Sequence, residues 1–331
     1  MNKLNYIHSI RGIAAFFIVL IHCNIFMSKE GMLNAFFYHF LTEWTAIFLL
    51  ISGFLFQFLL PKYEFSSFMK KKITNVILPY IIVSIPAILI YLLGYKTVHN
   101  WIDVSELLSN SKLYTIFYFY LTGGHLGPLW FIPVLTLIFF VSKPLKFIGS
   151  NQVILSICAF ISVFIVLVTS RPENDSNPII AFIHFLPVYI IGMFFCSFRE
   201  ILIKESYKYG YLLLFVTFFC LEVYWDLSSS VSILNKFILF LSLCCFFYSS
   251  PKYFLLSIMA DISFALYFLH GYFVGALRIL QNRIDPNLMS GFWFGFVSSI
   301  LCSIIISLII FCIYSLIRKS NLVNSRLLIG S

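Results

Sequence analysis

The segment GFWFGFVSSILCSIIISLIIFCIYSLI, residues 291–317, carries no charged side chain. It is longer than the roughly 20 apolar residues an α-helix needs to cross a hydrocarbon core of about 30 Å. Working outward from it, further apolar runs occupy residues 254–275, 232–249, 209–225, 178–197, 152–170, 126–142, 74–94, 44–61 and 7–26. The pattern predicts an all-α polytopic integral membrane bundle of about ten transmembrane helices, forming one domain over residues 1–331. The stretch LYTIFYFYLT (113–122) is too short to span alone and reads as a re-entrant or interfacial helix.

Composition supports the same class. The chain is 61% hydrophobic and 11% charged, with mean hydropathy +0.97, whereas an ordinary soluble domain is roughly a quarter charged. The net charge of +9 does not mark a nucleic-acid partner, because Lys and Arg fall in short loops between apolar runs and not on one soluble face. The loops sharing a side with the termini hold Lys3, Lys62, Lys70, Lys71, Lys72, Lys143, Lys146 and others up to Arg326. They outnumber the basic residues of the other side, which include Lys29, Lys96, Arg171 and Lys236, by about twofold. Both termini are therefore expected in the cytoplasm and the bundle in the cytoplasmic (inner or plasma) membrane.

The eight cysteines all lie inside apolar runs, without the paired spacing of disulfides or of a zinc site, and read as small core residues. Residues 10–26 lack a small-x-small cleavage site and contain an Arg and a His, so they read as a retained first helix and not a removed signal peptide.

An ionisable group in hydrocarbon costs several kcal/mol by most estimates, so each needs a partner or a task. Arg11 and His22 are eleven residues apart, which on a helix puts them about 20° apart in azimuth and about 16 Å apart along the axis. Alone, Arg11 reads equally well as a residue snorkelling to headgroups and His22 as a satisfied bundle histidine; sharing one face favours a functional stripe. Ser263, Tyr267 and His270 share another face at i, i+4 and i+7, with His270 expected at the depth of His22. GHLGPLWFIP (124–133) places His125 and Trp130 in the same outer zone, where a belt anchor is the plain reading of Trp130. Ser52–Gly53 suggests close helix packing. Lys70–Lys72 suggests a cytoplasmic anchor or a phosphate-binding site. Glu43, Glu222 and Asp226 lie at helix ends near the outside and are expected to be solvated.

Five segments together resemble the acyltransferase-3 family of membrane-bound O-acyltransferases. HSIRGIAAFFIVLIHCN (8–24) is similar to that family's first helix, with its Arg and His ten residues between. IFLLISGFLF (47–56), MKKKITNVILPYI (69–81), GPLWFIP (127–133) and MADISFALYFLHGYF (259–273) are similar, in the family's order, to its Ser-Gly-Phe, basic Leu-Pro, Leu-Trp-Phe and Ile-Ser-x-x-x-Tyr-x-x-His segments. Two departures stand out. Lysines occupy the basic segment where the family often has arginines, and LTEWTA (41–46) replaces its glycine-rich approach to the second helix.

The resemblance implies transfer of an acyl group, usually acetyl, from cytoplasmic acyl-CoA to a hydroxyl of a carbohydrate or glycolipid acceptor such as a surface or lipid-linked polysaccharide. It makes His22 the expected base or nucleophile. His270 joins His22 at the chemistry, Arg11 and Lys70–Lys72 are donor-binding residues, and Ser52, Trp130, Ser263 and Tyr267 shape the pocket. The expected partners are acyl-CoA, the acceptor and the lipid bilayer, with neither a bound cofactor nor a metal. No appended soluble hydrolase-like (SGNH) domain is expected, and the chain is expected to complete the transfer alone or to hand the acyl group to a partner protein. The rival class is a transporter or flippase, whose inverted repeats and paired broken helices are not evident in the sequence. A sensor or assembly partner has no use for costly intramembrane charges.

Overall fold

The structure is a computed structural model that describes residues 4–26, 31–250, 253–281, 283, 291–320 and 324–331. Lys3, Lys29 and Lys252 of the basic-loop pattern lie outside the described residues. The helices run α1 (Asn5–Cys23), α2 (Met32–Leu41), α3 (Trp44–Leu59), α4 (Phe65–Lys72), α5 (Leu78–Leu92) and α6 (Val104–Ser109). Next come α7 (Lys112–Thr122), α8 (Phe131–Phe140), α9 (Ser142–Ser150), α10 (Gln152–Val168), α11 (Pro178–Ser197) and α12 (Arg199–Leu202). The chain continues through α13 (Lys208–Tyr224), α14 (Ser229–Phe247), α15 (Phe254–Asp261), α16 (Ser263–Gln281), α17 (Phe292–Ser320) and α18 (Ser325–Ile329). The expected all-helical membrane bundle is present.

Among the described residues, 7 helices are long and apolar enough to cross a membrane, or up to 9 if each of two bent pairs is one span. The ten spans expected from the sequence are not all reached. The run at 209–225 becomes α13, whose 17 residues fall just short; the run at 254–275 breaks at Ile262 into α15 and α16, of which α16 still provides a span. The 113–122 segment forms α7, and the chain bends by 76° before Gly127–Phe140. Gly123, at φ +71, makes this bend: a Cβ there would collide with the backbone of Leu129 and Trp130. The outer surface is lipid-like. Phe160, Leu213 and Trp293 are each at least 70% exposed, and α17 has only 22% of its span buried, as suits a helix facing hydrocarbon.

At the centre, α3 and α11 form the most extensive helix pair. A Cβ on Gly53 would run into the carbonyl of Tyr189, and one on Gly192 into that of Leu50, so two glycines on facing helices let the backbones touch. This is how membrane helices associate where lipid removes the hydrophobic drive. Pro86 interrupts α5, and Tyr272 of α16 enters the opening: its hydroxyl accepts from Ala87 N–H at 3.2 Å and donates to the Val83 carbonyl at 2.5 Å. The backbone groups freed by the kink are thereby satisfied without water.

Candidate functional site

Helix α1 carries Arg11 and His22 towards opposite ends of one face, as the spacing predicts. At the Arg11 end, its Nη2 donates to Nδ1 of His8 at 3.3 Å. His8 Nε2 in turn approaches Ser257 Oγ at 3.2 Å and Asp261 Oδ1 at 3.5 Å on α15. Arg11 Nε is buried with no hydrogen-bond partner, so this guanidinium has a donor left over.

At the other end, the rings of His22 and His270 lie 5.1 Å apart, centroid to centroid. His270 is fully buried. Its Nδ1 donates to the Leu266 carbonyl, one turn back on α16, at 2.7 Å. That bond fixes the ring proton on Nδ1 and leaves Nε2 as an acceptor, which is buried and has no partner. His22 is only half-buried and lines a cavity of about 420 Å³, a size suited to a small ligand.

The far wall of that cavity includes Trp130, Arg171, Asp175 and Glu43. Trp130 is 6% exposed, packs against Phe185 and carries the guanidinium of Arg171 at 4.7 Å from its ring centroid. It is a cavity wall and not a lipid-belt anchor. Arg171, in the loop between α10 and α11, donates from Nε and Nη2 to the two oxygens of Asp175 at 2.5 and 2.7 Å, and from Nη1 to Glu43 at 3.1 Å. Burial works against its charge, but the carboxylates of Glu43 and Asp175 outweigh burial and raise its pKa.

A second polar group adjoins this wall, with His39 and Ser232 also lining the cavity. His39 of α2 places Nδ1 at 3.1 Å from Glu222 and Nε2 at 3.1 Å from Asp226. Glu222 also accepts from Ser232 and Asn235 of α14. Lys236 donates to the Phe40 carbonyl at 2.9 Å, with its ammonium over the rings of Phe40 and Trp44. These positions correct the sequence reading: Glu43 and Glu222 are 5% and 1% exposed, so neither is solvated, and Asp226, although exposed, is engaged by His39. Lys236 is no loop residue; it lies within α14 at 1% exposure.

The family model for the acyltransferase domain of acyltransferase-3 proteins matches residues 4–312, nearly the whole chain. The chain belongs to the acyltransferase-3 family. Neither the curated proteins nor the solved structures contain a significant match.

Within this membrane acyltransferase the other residues singled out by sequence divide into two groups. Tyr267 belongs with the histidines: its ring is 6.2 Å from that of His270, and its hydroxyl donates to the Pro128 carbonyl in the turn before Trp130. Ser263 opens α16, buried, with an unpartnered Oγ. Ser52 lies half-buried beside Gly53 at the α3–α11 contact. Lys70 and Lys71 are exposed at the end of α4, and Lys72 is half-buried with its ammonium 4.8 Å from the ring of Phe139. Here the chain passes through a π-helical turn, Ile73–Ile77, into Pro79 of α5. Such turns recur at functional sites.

Sequence reasoning overlooked Arg171, Asp175 and His39 and undervalued Glu43 and Glu222. A signal was present: LTEWTA, which holds Glu43, replaces the family's glycine-rich approach to the second helix.

Proposed function

We propose that this acyltransferase moves an acyl group, with acetyl the expected one, from cytoplasmic acyl-CoA to a hydroxyl of a surface or lipid-linked polysaccharide or glycoconjugate. The observation that carries this reading is the half-buried His22 at a ligand-sized cavity, backed 5.1 Å away by the buried His270. In the transfer, His22 takes the proton of the acceptor hydroxyl as its oxygen attacks the thioester carbonyl. Collapse of the tetrahedral intermediate breaks the C–S bond, and the departing thiolate takes the proton back from the imidazolium. His270, with its proton committed to Leu266, offers Nε2 as an acceptor that orients a ring N–H of His22.

Arg11 lies about 16 Å from His22 along α1, a distance for the extended pantetheine arm of CoA to cover, and its unpartnered Nε suits an anionic or carbonyl group of the donor. Lys70–Lys72 supply positive charge on the same side, as point charges and not as bidentate forks. The topology that goes with this reading has about ten passes and both termini in the cytoplasm. Trp130 and the polar wall would receive the acceptor on the outer side.

The test is O-acetylation of cell-surface polysaccharide in a deletion strain complemented with wild type, His22→Ala or Arg11→Ala, with membrane expression verified. Wild type is expected to restore O-acetyl groups and both variants to fail. Variants that work like wild type would make the α1 stripe structural; a wild type that transfers nothing would remove the polysaccharide acceptor.

A further inference from the structure

Glu43 combines three properties. Its backbone is left-handed, φ 59 and ψ 22, a conformation glycine adopts freely and a glutamate adopts only under strain. Glu43 lies in LTEWTA (41–46), the segment that replaces the glycine-rich approach to the second helix in the family it resembles. Strain retained by the fold at a cavity marks a functional position.

Second, the carboxylate is 5% exposed, with Oε1 bonded to Arg171 and Oε2 buried without a partner. A buried acceptor lacking a donor is a liability that native structures rarely keep. Third, Glu43 lines the same cavity as His22 and Trp130.

The surrounding charge says what kind of group completes it. Arg171 is already held at two nitrogens by Asp175, and Lys236 is given to the Phe40 carbonyl. Around the cavity, the carboxylates of Glu43 and Asp175 are held by Arg171, and those of Glu222 and Asp226 by His39, so the acceptor left open on this wall is the Glu43 carboxylate. A hydroxyl or amide N–H would satisfy Oε2; a carboxylate or phosphate would meet like charge.

We propose that Glu43, held by Arg171, forms a subsite beside His22 that takes a hydroxyl or amide N–H of an uncharged sugar and turns acidic sugars away. The acyl-transfer reading enters only in calling that sugar the acceptor.

The test uses the full chain in nanodiscs and saturation-transfer NMR titrations with methyl β-glucoside and methyl β-glucuronide, which differ at one ring substituent. Wild type should bind the glucoside at least about tenfold more tightly than the glucuronide. Glu43→Gln, which keeps the shape and removes the charge, should shrink that ratio to about threefold or less. Glu43→Gly relaxes the backbone but removes one of the two carboxylates on Arg171, so its thermal midpoint falls; the variant, where it still unfolds cooperatively, should lose glucoside binding. A purely structural Glu43 would change both sugars alike and leave the ratio intact. That result, equal affinity for the two sugars in wild type, tighter glucuronide binding, or no glucoside saturation overturns the subsite. Surface O-acetylation is scored separately: sugar discrimination without acetyl transfer removes the proposed function and leaves the subsite standing, and acetyl transfer without discrimination does the reverse.

Discussion

The imidazole of His22 lies 5.1 Å from that of His270, brought there by two helices more than two hundred positions apart in the chain. One ring borders the cavity and the other is sealed behind it. The pair is therefore asymmetric, and in the proposed mechanism the accessible ring does the chemistry and the sealed one orients it.

This asymmetry predicts unequal losses. His22→Ala should lower acyl transfer by about 10²- to 10⁴-fold, the usual worth of a positioned acid–base group. His270→Ala should cost less and alter the pH dependence of the rate, because it changes the tautomer preference of a base that remains. Rates measured across pH on purified, folded variants check this; identical pH profiles for wild type and His270→Ala would make His270 a packing residue.

The glycine contact between α3 and α11 predicts a sharp stability difference. Gly53→Ala forces a methyl into the Tyr189 carbonyl and should lower stability by about 1–3 kcal/mol. Gly210→Ala in α13 has nothing within 4 Å of the added Cβ and should be neutral or slightly stabilising. Thermal unfolding in one detergent ranks the two; equal midpoints would contradict the close approach.

Removing Arg171 should be severe. Arg171→Ala leaves Glu43 and Asp175, 2% and 17% exposed at their side chains, without their cation, and the loss of one partner from a buried pair costs up to about 3–5 kcal/mol. Arg171→Lys restores charge but not the two-nitrogen grip on Asp175 and should recover only part of the thermal midpoint. Full recovery would show that charge alone matters.

His99, in the loop between α5 and α6, predicts a pH effect outside the membrane. Its Nδ1 accepts from the N–H groups of Trp101 and Ile102 at 3.3 and 3.2 Å, and its Nε2 donates to the Gly124 carbonyl at 3.0 Å. Burial pushes its pKa below the usual 6.5; the Gly124 bond opposes this and Lys96 adds to it. With the folded value lowered, the unfolded chain binds the proton first as pH falls. The stabilisation is therefore complete above pH 6.5 and declines as pH drops below it towards the folded pKa. Because the ring is only half-buried, the slope should stay well under the ~1.4 kcal/mol per pH unit that a full proton gives. His99→Gln should flatten the decline in thermal midpoint; unchanged slopes would clear His99.

The bundle and the alignment of Arg11 with His22 on one helix face were legible in the sequence. Apolar run length identifies membrane helices because lipid admits few alternatives, and the 100° step of a helix aligns Arg11 with His22 before any packing is known. Depth counting from the helix ends also anticipated that His22 and His270 meet. The acidic wall was not legible. Whether a carboxylate at a helix end faces water or folds inward depends on what stands opposite, and the partners come from afar: Arg171 to Glu43, His39 to Glu222. Local pattern carries no record of such pairings. Lys236 misled for the same reason, since a lysine near a helix start looks like a loop cation until Phe40 and Trp44 are seen around it.

The hydrogen bond from Tyr267 to the Pro128 carbonyl acts as a strut. One end is rooted a single turn from His270, and the other holds the short turn from which Trp130 forms the cavity wall. In the proposed mechanism, any tilt of α16 that shifts the imidazole of His270 also displaces the turn that carries Trp130, so the cavity wall and the orientation of His22 move together.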